Sequence, residues 1–185
     1  MILVFLHGKG ADKSAYFEQL TSLAEKLSAK FVSFNAPFGS LTKKDKFLWF
    51  NKFECCKRRD AVVEEYLFSK NYIEDEVKKL NCSLSDVVLI GHSQGGGMAV
   101  SVGLDLNLGG VFSICGDLPY NLEYNCLSNT PIYWLEGADD KYIDAERKAS
   151  YKLLGDRVCF KLIKECTHTE ISKAFLEIER ILLKK

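Results

Sequence analysis

Ser93 stands in Gly91-His92-Ser93-Gln94-Gly95, between the apolar run Val87-Val88-Leu89-Ile90 and the small-residue stretch Gly96-Gly97-Met98-Ala99-Val100. That order reads as a strand, a sharp turn and a helix, the arrangement that lifts a serine hydroxyl clear of the fold as a nucleophile. A serine at such a turn must take a strained backbone conformation, and its neighbours must leave room for it, which Gly91 and Gly95 do. The plainer alternative is a glycine-rich loop whose serine only caps the following helix. A hydroxyl is a weak nucleophile at neutral pH, so a nucleophilic Ser93 requires a base beside it.

The chain has three histidines. His92 adjoins the serine, and its side chain leaves the turn in a different direction. His7 ends the first apolar run just before Gly8, where shaping a loop is the expected role. His168 follows the last apolar run through Lys164 to Thr167, with Thr169 as the expected cap of a helix from Glu170, so it stands at a strand end. The base in turn needs a carboxylate to fix its tautomer and stabilise its transient charge. Asp139 and Asp140 lie in the loop after Ile132-Tyr133-Trp134-Leu135. Spacing alone does not separate them, and Asp117 is a third option. Attack on a carbonyl also creates an oxyanion that backbone N–H groups must stabilise. Gln94, directly after the nucleophile at a helix start, supplies one candidate donor. Lys9, in the turn His7-Gly8-Lys9-Gly10, supplies the other, with a plain glycine turn as the alternative for that loop.

These residues need a frame that brings distant parts of the chain together. Short apolar runs recur at Ile2–Leu6, Phe31–Phe34, Val87–Ile90, Gly110–Cys115, Ile132–Leu135 and Val158–Ile163. Between them lie helical faces marked by Phe17, Leu20, Ala24 and Leu27, by Val63, Tyr66, Ile73, Val77 and Leu80, and by Ile171, Phe175, Ile178 and Leu182. The alternation predicts an α/β fold, a mainly parallel sheet of about six strands with helices on both faces. Ligands bind such sheets beyond the carboxyl ends of the strands, where the candidates above all fall. The segment 39–59 is irregular. Its centre, Phe47-Leu48-Trp49-Phe50-Asn51-Lys52-Phe53, is aromatic, and its flanks carry Lys43, Lys44, Lys46, Lys57, Arg58 and Arg59. We expect it to offer an apolar substrate wall, with Leu48 and Trp49 as the contacts; a core-packing insertion is the competing expectation.

Bulk properties restrict the function classes. The chain has 185 residues, 47% hydrophobic and 27% charged, which suits one globular domain over residues 1–185. Basic and acidic residues balance at 25 each, so no net field favours nucleic acid or draws an anionic substrate from a distance, although local patches are compatible with that total. Met1-Ile2-Leu3-Val4-Phe5-Leu6 carries no basic leader and is too short for a signal core or a membrane span. The seven cysteines lack the spacing of a disulfide framework or a zinc site and are expected to be free thiols in a reducing cytoplasm. Cys115 and Cys159 are expected as buried filler, and Cys166 as the thiol to test for reactivity. No cofactor or metal is required, since the serine, histidine and carboxylate would generate their own nucleophile.

Taken together, Leu6-His7-Gly8-Lys9-Gly10-Ala11-Asp12, Trp49-Phe50, Gly91 to Gly97 and Gly137-Ala138-Asp139-Asp140 resemble the phospholipase/carboxylesterase family of α/β-hydrolases, which includes acyl-protein thioesterases. The chain order serine, acid, histidine is also that of α/β-hydrolases. The resemblance implies Ser93 as nucleophile, His168 as base, Asp140 rather than Asp139 as acid, and Lys9 and Gln94 as oxyanion donors. It implies a serine hydrolase acting on a small-molecule carboxylic ester or thioester with a small or apolar acyl group. A non-catalytic binding scaffold and a peptidase on the same fold are the competing functions. The chain departs from the family where Asp144 replaces a proline after the acid, where no glycine immediately precedes His168, and where the family's N-terminal strands are missing.

Overall fold

The computed structural model describes residues 1–41, 43–55, 58–142 and 144–184, and of residues 53–55, 58, 59 and 147 the backbone only. Cys56, Lys57 and Ile143, and the side chains of Cys55, Arg58 and Arg59, therefore lie outside the described residues. In chain order the elements are β1 (Ile2–Leu6), α1 (Phe17–Lys26), β2 (Lys30–Ser33), β3 (Phe38–Gly39), β4 (Phe47–Leu48), β5 (Lys52–Cys55) and β6 (Arg58–Ala61). They continue as α2 (Val63–Lys78), β7 (Val87–His92), α3 (Gln94–Gly103), β8 (Gly110–Ile114), β9 (Ile132–Gly137), α4 (Ala145–Lys148), β10 (Val158–Ile163) and α5 (Ser172–Leu182).

Six strands form one sheet in the order β10-β9-β8-β7-β1-β2, and each neighbouring pair is parallel. This is the parallel α/β sheet of six strands that the alternation of apolar runs and helical faces implies. Alternate side chains along each strand feed two separate cores. Val4, Leu6, Val87, Leu89, Val111 and Trp134 pack beneath α2 and α3. Leu3, Phe5, Val88, Ile90, Phe112 and Leu135 pack against α1 and α5. Two predicted helical faces are narrower than expected, because Phe17 is 56% and Val63 41% exposed at the helix starts. No helix among the described residues is long and apolar enough to cross a membrane.

Segment 39–59 resolves into two small antiparallel pairs, β3 with β4 and β5 with β6. Between the two pairs the chain dives inward, and Leu48, Trp49 and Phe50 are buried. Phe47 bridges Ala11, with Gly10 N–H donating to its carbonyl at 2.8 Å, so the first hairpin lies on the turn after β1. Cys159 is exposed, contrary to expectation, because β10 is an edge strand whose outer face is incompletely covered. Cys166 is fully buried, which leaves the thiol singled out for reactivity without solvent access. The described thiols Cys82, Cys115, Cys126, Cys159 and Cys166 are all free.

Candidate active site

The turn between β7 and α3 holds Ser93 at φ 53° and ψ −121°. A residue with a Cβ populates that region only when its surroundings force it to. A Cβ on Gly91 would lie 2.1 Å from the Gly95 carbonyl oxygen, and one on Gly95 would lie 2.2 Å from that of Leu6. The two glycines thus let β1, β7 and α3 close on one another around the serine. Ser93 N–H donates to the Ile114 carbonyl at 2.9 Å, which ties the turn to the end of β8. Every residue of α3 is buried, so the turn rests on a helix with no solvent face.

His168 and Asp140 arrive from the loops after β10 and β9, which pair in register from Ile132 with Val158 to Gly137 with Ile163. The Ser93 hydroxyl lies 3.1 Å from His168 Nε2, and His168 Nδ1 lies 2.8 Å from Asp140 Oδ2. Nδ1–H donates to the carboxylate, and Nε2 accepts a hydrogen bond from the serine hydroxyl. The Asp140 side chain is fully buried, and its other oxygen accepts Tyr142 N–H at 2.8 Å. Lys148 Nζ donates to the Asp140 backbone carbonyl. Asp139 is exposed, with its N–H bound to the Cys166 carbonyl. Asp117 pairs with Lys52 instead of His168. Of the three carboxylates the sequence left open, the one that meets the imidazole is Asp140.

The other two histidines hold loops in place. Ala36 N–H donates to His7 Nε2 at 3.0 Å, so the ring proton is on Nδ1, which donates to the Gly8 carbonyl at 2.8 Å. Burial lowers the pKa of His7. His92 Nε2–H donates to the backbone carbonyl of His168 at 2.7 Å. Burial, and after it the neighbouring His168, pushes His92 down to about 4, so it stays neutral at physiological pH. Sequence reasoning set His92 aside by direction alone and missed this contact. It also missed Tyr142, whose ring stacks on His168 with centroids 4.5 Å apart while remaining 72% exposed. The only hint was an aromatic residue two positions beyond the acid. The cap expected at Thr169 is displaced: Thr167 Oγ1 accepts Glu170 N–H at 3.0 Å, and α5 starts at Ser172.

A cleft of about 730 Å³ opens over Ser93 and His168, bordered by Gly8, Lys9, Gly10, Tyr16, Gln94 and Tyr142. Neither Lys9 N–H nor Gln94 N–H has a protein acceptor among the described residues. The Gln94 side chain points away from the cleft, accepting Trp49 N–H at 2.9 Å and donating to the Phe50 carbonyl at 2.7 Å. Leu48 and Trp49 were expected on the substrate wall, but both are buried and neither borders the cleft. The indole explains the difference: its Nε1–H donates to the His7 carbonyl at 2.8 Å, so Trp49 braces the turn from behind.

Glu136 lies inside β9 rather than in the loop, with Trp134 Nε1–H donating to Oε2 at 3.4 Å. Its Oε1 has no hydrogen-bond partner among the described residues, and burial pushes its carboxyl up to about 7. Cys115, Asp140 and His168 bring donor atoms within 4.8 Å of one another, a set with metal-ligand chemistry. Two of the three are already hydrogen-bonded to each other as acid and imidazole.

Solved structures with this fold cover almost the whole chain. A point variant of Arabidopsis thaliana SOBER1 superposes with a TM-score of 0.83 at 21% identity, covering 100% of this chain and 99% of that one. Esterase PE8 matches with a TM-score of 0.77 at 21% identity over 99% of this chain and 91% of its own. A Bacillus cereus carboxylesterase matches at 0.75 and 17% identity over 99% and 87%. No curated protein matches the chain by sequence. The model of the phospholipase/carboxylesterase family matches residues 1–184, and the chain belongs to that family.

Proposed function

We propose that this protein is a serine hydrolase that cleaves carboxylic esters, thioesters included, through an acyl-enzyme. The observation that carries this reading is the unbroken line from Asp140 through His168 to Ser93, with contacts of 2.8 and 3.1 Å at the floor of an open cleft. Ser93 Oγ attacks the ester carbonyl as His168 Nε2 takes its proton. Asp140 holds Nδ1–H and stabilises the imidazolium. The N–H groups of Lys9 and Gln94 receive the oxyanion, and each such donor is worth about 3 kcal/mol in comparable sites. His168 then returns the proton to the departing alcohol or thiol. Water enters by the same base, and its attack on the acyl-serine frees the acid and restores the hydroxyl.

Two supports are independent of the triad. The backbone of Ser93 sits in a conformation that a capping serine has no need of. The loop-holding bonds of His7 and His92 fix the two segments that must face each other across the substrate. Turnover of a short p-nitrophenyl ester and labelling by a fluorophosphonate test the assignment. Both should occur in the native chain and vanish in Ser93→Ala, with the circular dichroism of the fold retained. Undiminished turnover by the variant would reject the nucleophile. A folded native chain that neither turns over esters nor takes the label would favour a non-catalytic scaffold.

A further inference from the structure

Lysines dominate the charged lining of the cleft. Lys9, Lys43 and Lys52 border it, against a single bordering carboxylate among the described residues, Asp117. That carboxylate is already engaged by Lys52, and the pair is nearly buried, with 9% and 3% side-chain exposure. Lys46, on the same hairpin as Lys43, is paired with Asp12. Neither Lys9 nor Lys43 has an ion-pair partner among the described residues. The whole chain has no net charge, whereas the cleft lining carries Lys9 and Lys43 beyond its one ion pair.

Lys43 is not simply extended into water. Its Cδ and Nζ lie 3.9 and 4.0 Å from the position a Cβ would take on Gly10. The side chain therefore lies along the turn whose N–H groups face the reacting carbonyl, and its ammonium is set beside the cleft mouth. Ammonium groups on the wall of a cleft raise the local concentration of anions and slow their escape, an effect that added salt screens. An uncharged acyl chain gains nothing from them.

We infer that the preferred substrate is a short ester or thioester that carries a carboxylate or phosphate away from the scissile bond, with Lys43 as the specificity-determining residue and Lys9 as supporting charge. This inference rests on the serine-hydrolase reading and adds the chemical class of the substrate to it. It replaces the apolar wall expected from Leu48 and Trp49, which the cleft does not use.

Two matched pairs of esters test it and distinguish the side on which the charge is carried. In the first, p-nitrophenyl hydrogen adipate is compared with p-nitrophenyl hexanoate, which puts the anion on the acyl side. In the second, butyryl glycerol phosphate is compared with butyryl glycerol, which puts it on the alcohol side. The ratio of kcat/KM, anionic over neutral, should reach about tenfold at low salt in one pair and fall toward unity at about 0.5 M salt. Lys43→Gln should lower that ratio several-fold, and Lys43→Glu should bring it below one. Ratios at or below one in both pairs, with the neutral esters turned over in a Ser93-dependent manner, would overturn the anionic substrate and leave the hydrolase standing. A ratio unchanged in both Lys43 variants would overturn the assignment of that residue. Failure to hydrolyse any of the four esters would overturn both readings.

Discussion

Replacing Ser93 by glycine should destroy activity and leave a fold more stable than that of the alanine variant. Ser93 is held at φ 53° and ψ −121°, a conformation that costs a residue with a Cβ about 1–3 kcal/mol and costs glycine almost nothing. Against this, glycine gives the unfolded chain extra freedom, about 0.4–1 kcal/mol in the other direction. Ser93→Ala is the control: it loses the same hydroxyl contact with His168 but keeps the Cβ and its strain. The glycine variant should therefore be more stable than the alanine variant by about 1 kcal/mol, which in a chain of this size is about 2–4 °C in Tm. Urea unfolding followed by tryptophan fluorescence suits the measurement, because Trp49 and Trp134 are both fully buried and report loss of the core. A glycine variant less stable than the alanine variant would show that the turn is relaxed, and the steric account of the elbow would fail.

Other substitutions probe the remaining contacts. Asp140→Asn should keep the fold but turn an amide N–H toward His168 Nδ1, lowering kcat by about 10³–10⁴ with KM little changed in steady-state assays. Glu136 should make stability fall as pH rises. Its folded value of about 7 lies above the ordinary 4.5, so the native state holds the proton more tightly, and stability is lost between those two values. Glu136→Gln should flatten that slope and gain about 3 kcal/mol at pH 8 in urea titrations, and an unchanged slope would refute the assignment. Trp49→Phe removes the donor to the His7 carbonyl; it should cost about 1 kcal/mol of stability and reduce kcat more than it changes KM.

The elbow was legible because its chemistry is local: the clearances that Gly91 and Gly95 provide are demands of adjacent residues, and sequence records those directly. The sheet was legible for a similar reason, since Leu3 and Phe5 face one core while Val4 and Leu6 face the other. Asp139 and Asp140 were not separable by pattern, because neighbouring loop residues differ only in which one turns inward, and β9 and β10 decide that together. Trp49 read as a wall because aromatic density carries no direction. Its partners, His7 and Gln94, lie 42 and 45 positions away. The bond from His92 to the His168 carbonyl spans 76 positions and left no trace in either local motif. Cys159 read as filler because an edge strand and a central strand have similar composition until the neighbours are known.

Gln94 divides its duties between main chain and side chain. Its carboxamide clamps Trp49 and Phe50, while its backbone N–H has no acceptor among the described residues. An alanine scan would thus score Gln94 for scaffolding and pass over the proposed oxyanion donors altogether, because a peptide N–H survives every replacement except proline. Amide-to-ester exchange in the main chain at positions 9 and 94 is the perturbation that would expose them. The side chain of Gln94, by contrast, is bound to the segment it holds.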